Sequence, residues 1–245
     1  MTDPIVIVGA GQAGVALAGK LRALGHGGPL AMIGDEPVAA YQRPPLSKKY
    51  VSGELAPERL LIRPAGWYGE QSIDLRLSAS VEAILPAERS LRLGDGTMLR
   101  YDKLALTTGA TPRRLPAEMG GALKGVHTIR NLADADAIAP ELRAGRKLLV
   151  VGGGYIGLEA AAVAAGKGLA VTVIEAAPRI LQRVAAAPTA DFFRELHRRH
   201  GVTLLEGVEL AALTGAGGRV AAARLKDGWS VETDVFIVGI GVTPN

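Results

Sequence analysis

Apolar positions in this chain come in short unbroken runs rather than in strict alternation. Ile5-Val6-Ile7-Val8, Leu30 to Ile33, Leu148 to Val151 and Ala170 to Ile174 are the clearest. Runs of this length without alternating polar residues predict strands of a parallel sheet, buried on both faces. Between the first two lies a glycine-punctuated turn and an apolar stretch from Val15 to Leu24, read as a helix that Gly25 ends. Between the second two lies a similar turn and a helix that starts over Leu158 to Ala165. The chain therefore contains the same strand-turn-helix-strand phrase twice.

Both turns carry G-x-G-x-x-G spacing, at Gly9, Gly11 and Gly14 and again at Gly152, Gly154 and Gly157. In this motif the first glycine permits a tight turn, the second lets backbone reach a pyrophosphate, and the third allows close helix-strand packing. The N-terminus of the helix that follows favours phosphate. An acidic residue after the next strand suits ribose hydroxyls. Asp35 and Glu36 compete for that role in the first half, and the sequence does not choose between them. In the second half it is Glu175, 23 residues (175 − 152) after Gly152, close to the usual spacing of about 20. A carboxylate there favours NADH over NADPH, and the nearby Arg179 weakens that preference slightly.

The repetition extends further. LGDGTMLRYDKLALTTGATPR from Leu93 matches LKDGWSVETDVFIVGIGVTPN from Leu225, with seven identities at one offset of 132 (227 − 95). They include Asp95 with Asp227, Gly96 with Gly228 and Gly109 with Gly241. Each segment predicts a hairpin with an Asp-Gly turn, then a buried strand, then a glycine-centred loop. The expected fold is α/β and three-layered, with two tandem Rossmann-like dinucleotide-binding domains at 1–115 and 116–245. RRLPAEMGGALKG, 113–125, is the expected crossover between them.

Composition narrows the chemistry. The chain has no cysteine, which excludes disulfides, thiolate metal sites, iron-sulphur ligation by these residues and a cysteine nucleophile. A formal charge of +4 with 4% aromatic residues gives no case for nucleic acid, though it can steer an acidic partner. No apolar run reaches membrane-spanning length and no signal-peptide pattern opens the chain, so the cytoplasm is the expected location. His197 and His200 are three apart on a helix expected from Ala190. They lie in its last turn with Arg198 and Arg199, where cations are favourable, and no metal site is assigned. Phe192, Phe193 and Leu196 are expected core contacts.

YQRPPLSKKY (41–50), TTGATPR (107–113), GGGYIGLE (152–159) and the final GVTPN together resemble the two-dinucleotide-binding-domain flavoproteins. The resemblance is closest to the FAD-dependent NADH:ferredoxin reductases of bacterial P450 and dioxygenase systems, the putidaredoxin reductase and rhodocoxin reductase type. RPPLSK is the most specific stretch. Read physically, its two prolines force an extended segment and Ser47 can cap a following turn. The resemblance implies that Lys48 lies near the flavin and that Glu159, otherwise a first-turn helix acid, approaches it. It implies an FAD site of Gly9, Gly11, Ala13, Gly14, Asp35 or Glu36, Arg43, Lys48, Val81, Thr108, Gly109 and Arg130. It implies an NAD site of Gly152, Gly154, Ile156, Gly157, Glu159, Glu175 and Gly241.

The implied reaction carries electrons from NADH through FAD to an acidic [2Fe-2S] ferredoxin, with Arg113 and Arg114 facing either that partner or solvent. Two alternatives stay open. One is another FAD/NAD(P)H reductase on the same scaffold, and the other a redox-sensing NAD-binding flavoprotein of the apoptosis-inducing-factor type. Members of the family continue past the position of Asn245, so the chain is expected to be a fragment with weakened FAD binding and poor turnover.

Overall fold

The computed structural model describes residues 3–245. The chain divides into two compact units. One holds the chain up to Gln42, Pro57–Ala110 and Pro244–Asn245, and the other Arg43–Ala56 and Thr111–Thr243.

The first unit opens with β1 (Ile5–Val8), α1 (Gln12–Ala23) and β2 (Leu30–Ile33). It also contains α3 (Trp67–Glu70), β3 (Ile73–Arg76), β4 (Val81–Leu85), β5 (Ser90–Leu93), β6 (Met98–Arg100) and β7 (Lys103–Leu106), while α2 (Lys49–Ser52) falls in the second unit. β3-β2-β1-β7 form a parallel sheet, and β4-β5-β6 an antiparallel meander. Alternate residues of the apolar strands go to opposite sides. Ile7, Leu30 and Met32 pack with Val15 and Ala18 of α1, whereas Val6, Val8, Ala31 and Ile33 pack with Leu91, Leu93 and Tyr101. Helix, sheet and meander are thus three layers. Each buried aliphatic side chain contributes about 2 kcal/mol over exposure, which is why neither face of these strands carries a polar residue.

The second unit repeats the plan. After the short β8 (Ala110–Pro112) come β9 (Val126–His127), α4 (Leu132–Ile138), β10 (Lys147–Val151), α5 (Tyr155–Gly166), β11 (Ala170–Glu175), α6 (Ala187–Arg199) and β12 (Thr203–Glu206). Then follow β13 (Leu210–Ala216), β14 (Arg219–Leu225), β15 (Ser230–Glu232), β16 (Val235–Val238) and β17 (Val242–Pro244). The order β12-β11-β10-β16-β9 is a parallel sheet, and β13-β14-β15 an antiparallel meander. Leu149, Ile174, Phe236 and Val238 meet Leu213, Val220, Ala223 and Leu225 of that meander.

The paired Asp-Gly turns close both meanders in the same way. Asp95 accepts from the Thr97 amide at 2.8 Å and Asp227 from the Trp229 amide at 3.0 Å, with Gly96 at φ +84° and Gly228 at +93°. Among the described residues no helix is long and apolar enough to cross a membrane.

Several expectations need correction. The helices start at Gln12 and Tyr155, earlier than Val15 and Leu158, because extended Gly11 and Gly154 are their N-caps. Hydrophobic periodicity does not register a polar or exposed first turn. Glu159 is consequently the fifth residue of α5 rather than a first-turn acid. α6 likewise begins at Ala187, with Pro188 tolerated in its first turn. Phe192 is 64% exposed and Leu196 37%, since the face of α6 that turns inward carries Ala190 and His197. Phe193 is half-buried and meets the Phe192 ring edge-on. β7 is not the buried strand expected. It is the edge of its sheet and Leu106 is 58% exposed, whereas β16 is flanked on both sides and fully buried. The 113–125 segment, expected as the crossover, falls in the second unit, with Leu115 and Leu123 against its core.

Candidate functional site

The first glycine turn is built by close backbone approach. Gly9 has φ +109°, and a side chain there would stand 2.1 Å from the Thr107 carbonyl. A Cβ on Gly14 would stand 2.1 Å from the Gly9 carbonyl. Gly11 differs: nothing lies within 4 Å of the position its Cβ would take. That open volume sits at the N-terminus of α1, where unpaired backbone N–H groups attract anions. Ala13 lies in the first turn of that helix.

The second turn repeats these distances. Gly152 has φ +105° and its Cβ would approach the Gly239 carbonyl to 2.4 Å. A Cβ on Gly157 would come within 2.1 Å of the Gly152 carbonyl, while Gly154 again faces open space. Tyr155 and Ile156, which open α5, are exposed beside it.

What holds this second turn is specific to it. Glu175 accepts from the Gly153 amide and from the Ala177 amide, each at 2.7 Å. Ile180 packs where a Gly153 side chain would be, and the Leu181 amide donates to the Gly153 carbonyl at 2.9 Å. Leu181 does so at φ +53°, a left-handed backbone that costs a leucine about 1 kcal/mol. The Ile180 amide in turn donates to Glu206, which is gripped by Arg194 at 2.6 and 2.9 Å. Burial pushes Glu206 up, but the Arg194 guanidinium and the Ile180 amide outweigh it and hold the carboxyl below its ordinary value.

The RPPLSK stretch belongs to the second unit. Its prolines do not hold the expected extended segment but begin a single 3-10 turn, Pro44–Ser47, that leads into α2. Lys48 Nζ lies 2.8 Å from Glu159 Oε2 on α5 and donates to the Pro44 carbonyl at 3.3 Å. Ser47 Oγ donates to that same Glu159 oxygen at 2.6 Å. The stretch is fixed at two more points: Tyr50 donates to Asp136 at 2.6 Å, and Arg43 Nη1 to the Arg130 carbonyl at 2.9 Å. Arg43 and Arg130 are thereby brought together, as are Lys48 and Glu159.

The other residues singled out by sequence take these places. Asp35 is exposed just past β2, and Glu36 accepts a hydrogen bond from Tyr41. Val81 opens β4 and packs against the cluster of Val6, Val8, Leu91 and Leu93. Thr108 donates to the Asn245 carbonyl at 3.0 Å, and Gly109 has φ +72°. Gly241 has φ +102° and its carbonyl accepts from the Arg113 amide at 2.9 Å. His197 is buried and burial lowers its imidazole pKa, with His200 adding to the effect. Among the described residues no group of three or more His, Asp or Glu could hold a metal.

Two residues escaped the sequence reading. Thr107 Oγ1 donates to the Gly9 carbonyl at 2.8 Å and lies 3.1 Å from the Val8 carbonyl. Its place two residues before Gly109, in the glycine-centred loop that the two halves share, was the available signal. Ser47 does not cap the turn that follows it; its hydroxyl serves Glu159, which lies 112 residues away in sequence.

Comparison with known proteins places this architecture. Residues 3–245 match the family described as pyridine nucleotide-disulphide oxidoreductase. The chain is 45% identical over 247 residues to a ferredoxin–NAD(P)(+) reductase of a Sphingomonas species, covering 100% of this chain and 59% of that protein. It is 40% identical to putidaredoxin reductase of Pseudomonas putida, covering 99% of this chain and 58% of that one. The covalent putidaredoxin reductase–putidaredoxin complex superposes with a TM-score of 0.95 at 39% identity, over 98% of this chain and 58% of that one. The chain thus spans less than two thirds of the length of these relatives.

Proposed function

The chain belongs to the pyridine nucleotide-disulphide oxidoreductase family, and from that premise we propose that it is the nucleotide-handling part of an NADH:ferredoxin reductase. In this reading residues 1–115 serve FAD and 116–245 serve NADH, in the cytoplasm. The observation that carries it is the duplicated cradle: two helix N-termini, each with a glycine whose absent side chain leaves open backbone, at Gly11 and Gly154. Two dinucleotides fit two such cradles. The family's disulfide chemistry is not open to these residues, since the sequence has no cysteine.

Bound FAD would supply hydride acceptance from NADH and one-electron release. The protein's share is binding, orientation and charge. Gly9, Gly11, Ala13 and Gly14 hold the FAD diphosphate, and Asp35 or Glu36 its adenosine ribose. Val81, Thr108 and Gly109 complete that site within the first unit. Gly152, Gly154, Ile156 and Gly157 hold the NADH diphosphate, with Gly241 beside them. Glu175 braces the turn through Gly153 and accepts from the ribose 2′-hydroxyl, which disfavours a 2′-phosphate. Lys48, anchored by Glu159, offers a cation to the flavin, where added negative charge is stabilised. The partner this reading implies is an acidic [2Fe-2S] ferredoxin, which would receive the electrons.

The test is spectroscopic. The purified chain, supplied with excess FAD, is expected to give a protein-bound flavin spectrum that NADH bleaches and NADPH bleaches more slowly. Cytochrome c reduction should then depend on an added [2Fe-2S] ferredoxin. A bound flavin that neither nucleotide bleaches overturns the reading. Bleaching followed by a long-lived charge-transfer band and no electron transfer to ferredoxin makes the protein a redox sensor instead.

A further inference from the structure

We propose that Ser47 is a positioning residue that sets the orientation of Glu159 and, through it, of Lys48; this rests on the reductase reading for its effect on flavin. Lys48 is 46% exposed and Glu159 27%. An ion pair that open is normally weak and loosely oriented, because solvent screens it and two long side chains lose rotamer freedom to hold it. Ser47 is different: it is 4% exposed and has a short side chain with few rotamers. Its hydroxyl reaches Glu159 Oε2 at 2.6 Å, closer than Lys48 Nζ at 2.8 Å on that same oxygen.

Two consequences follow from this convergence. First, the carboxylate is oriented by a buried donor whose place is set by the 3-10 turn of Pro44–Ser47, not by the flexible lysine. Second, the ammonium has three donors. Glu159 takes one and the Pro44 carbonyl another, and one is left to direct at a ligand. Without the serine hydroxyl, Lys48 alone fixes the Glu159 rotamer, and both side chains gain freedom. The Pro-Pro pair holds the turn, the turn holds Ser47, Ser47 holds Glu159, and Glu159 holds Lys48.

The experiment compares Ser47→Ala, Ser47→Thr and Ser52→Ala, the last a hydroxyl on the same stretch that bonds Lys49 and Glu54 instead. In the flavin-free chain carrying 13C-labelled glutamate, the Glu159 carboxyl resonance should move in Ser47→Ala and stay in place in Ser52→Ala. It should return toward the original position in Ser47→Thr, which keeps the hydroxyl. In the FAD-loaded chain, Ser47→Ala should lower the single-turnover rate of flavin reduction by NADH about tenfold, short of the roughly hundredfold that a full ångström of misplacement can cost, with NADH affinity unchanged. The flavin potential should become more negative, and threonine should restore most of both. If Ser47→Ala leaves the resonance, rate and potential as in the parent, the proposal is overturned. If the rate falls equally in Ser47→Ala and Ser47→Thr, the role is packing and the proposal also fails. A parent chain whose flavin NADH never reduces sinks the reductase reading, while the carboxyl resonance still decides whether Ser47 orients Glu159.

Discussion

The two glycine turns have nearly the same shape and are held in place by different means. In both, the first glycine presses on a carbonyl of the last sheet strand's loop, the second faces open space and the third packs on the first. The first turn is fastened by a neutral hydroxyl, Thr107 on the Gly9 carbonyl. The position matching Thr107 in the second half is Gly239, which has no side chain to offer. There a carboxylate takes over, Glu175 on the Gly153 amide, backed by Ile180, Leu181 and the Arg194–Glu206 pair. The acidic residue after the first unit's second strand is not used this way: Glu36 is engaged by Tyr41 and Asp35 is exposed. The backbone bend is therefore what the two halves share, while its fastening differs between them.

The sharpest way to break the comparison is to fill the tight glycines. Gly14→Ala and Gly157→Ala each drive a methyl to 2.1 Å from a carbonyl, and each should cost about 3 kcal/mol in its own unit. Differential scanning calorimetry should show the melting of that unit falling by about 10 °C. Gly11→Ala and Gly154→Ala meet nothing within 4 Å and keep permitted backbone angles, so only about 1 kcal/mol or less of N-cap preference is lost. Equal losses for the tight and the open glycines would contradict the division of labour.

The fastenings come next. Glu175→Ala leaves two amides without their charged acceptor and should cost about 2 kcal/mol, whereas Thr107→Val, which removes one neutral donor, should cost about 1 kcal/mol. Urea unfolding followed by hydrogen exchange at Gly153 and Gly9 reads the two separately. A Thr107 effect larger than the Glu175 effect would reverse the account.

The smallest effect is with pH, and it should fall on the second unit. His197 is buried with its imidazole pKa lowered, so the unfolded chain takes up a proton that the folded chain refuses. The stability this gives is present above about pH 6.5 and is lost as pH falls through the lower folded value. His127, lowered mainly by burial against the pull of Glu141, acts in the same direction. Glu206 adds a second window: its folded carboxyl is held low, so its contribution is present above the ordinary glutamate range and lost as pH drops below it. Urea midpoints should fall between pH 7.5 and 5.5, and His197→Gln should flatten that slope.

Much of this was legible in the sequence, because its physics is local. Unbroken apolar strands, a glycine where φ must be positive and an Asp-Gly turn each act within a few residues, and all were read from the residues alone. What was missed is tertiary. The edge position of β7, the exposure of Phe192 and the engagement of Ser47 by Glu159 depend on which element arrives alongside, and periodicity has no record of that. The first turns of α1 and α5 were missed for a nearer reason: Gln12 is polar and Tyr155 is exposed, although the helices already include them.

The central claim is that two cradles hold two different dinucleotides. Isothermal titration of FAD and of NADH into Gly11→Ala and Gly154→Ala tests it most directly. The account predicts a crossed result: Gly11→Ala loses FAD affinity at least about tenfold and keeps NADH affinity, and Gly154→Ala does the reverse. Loss of both ligands from either variant, or of neither from both, would contradict it.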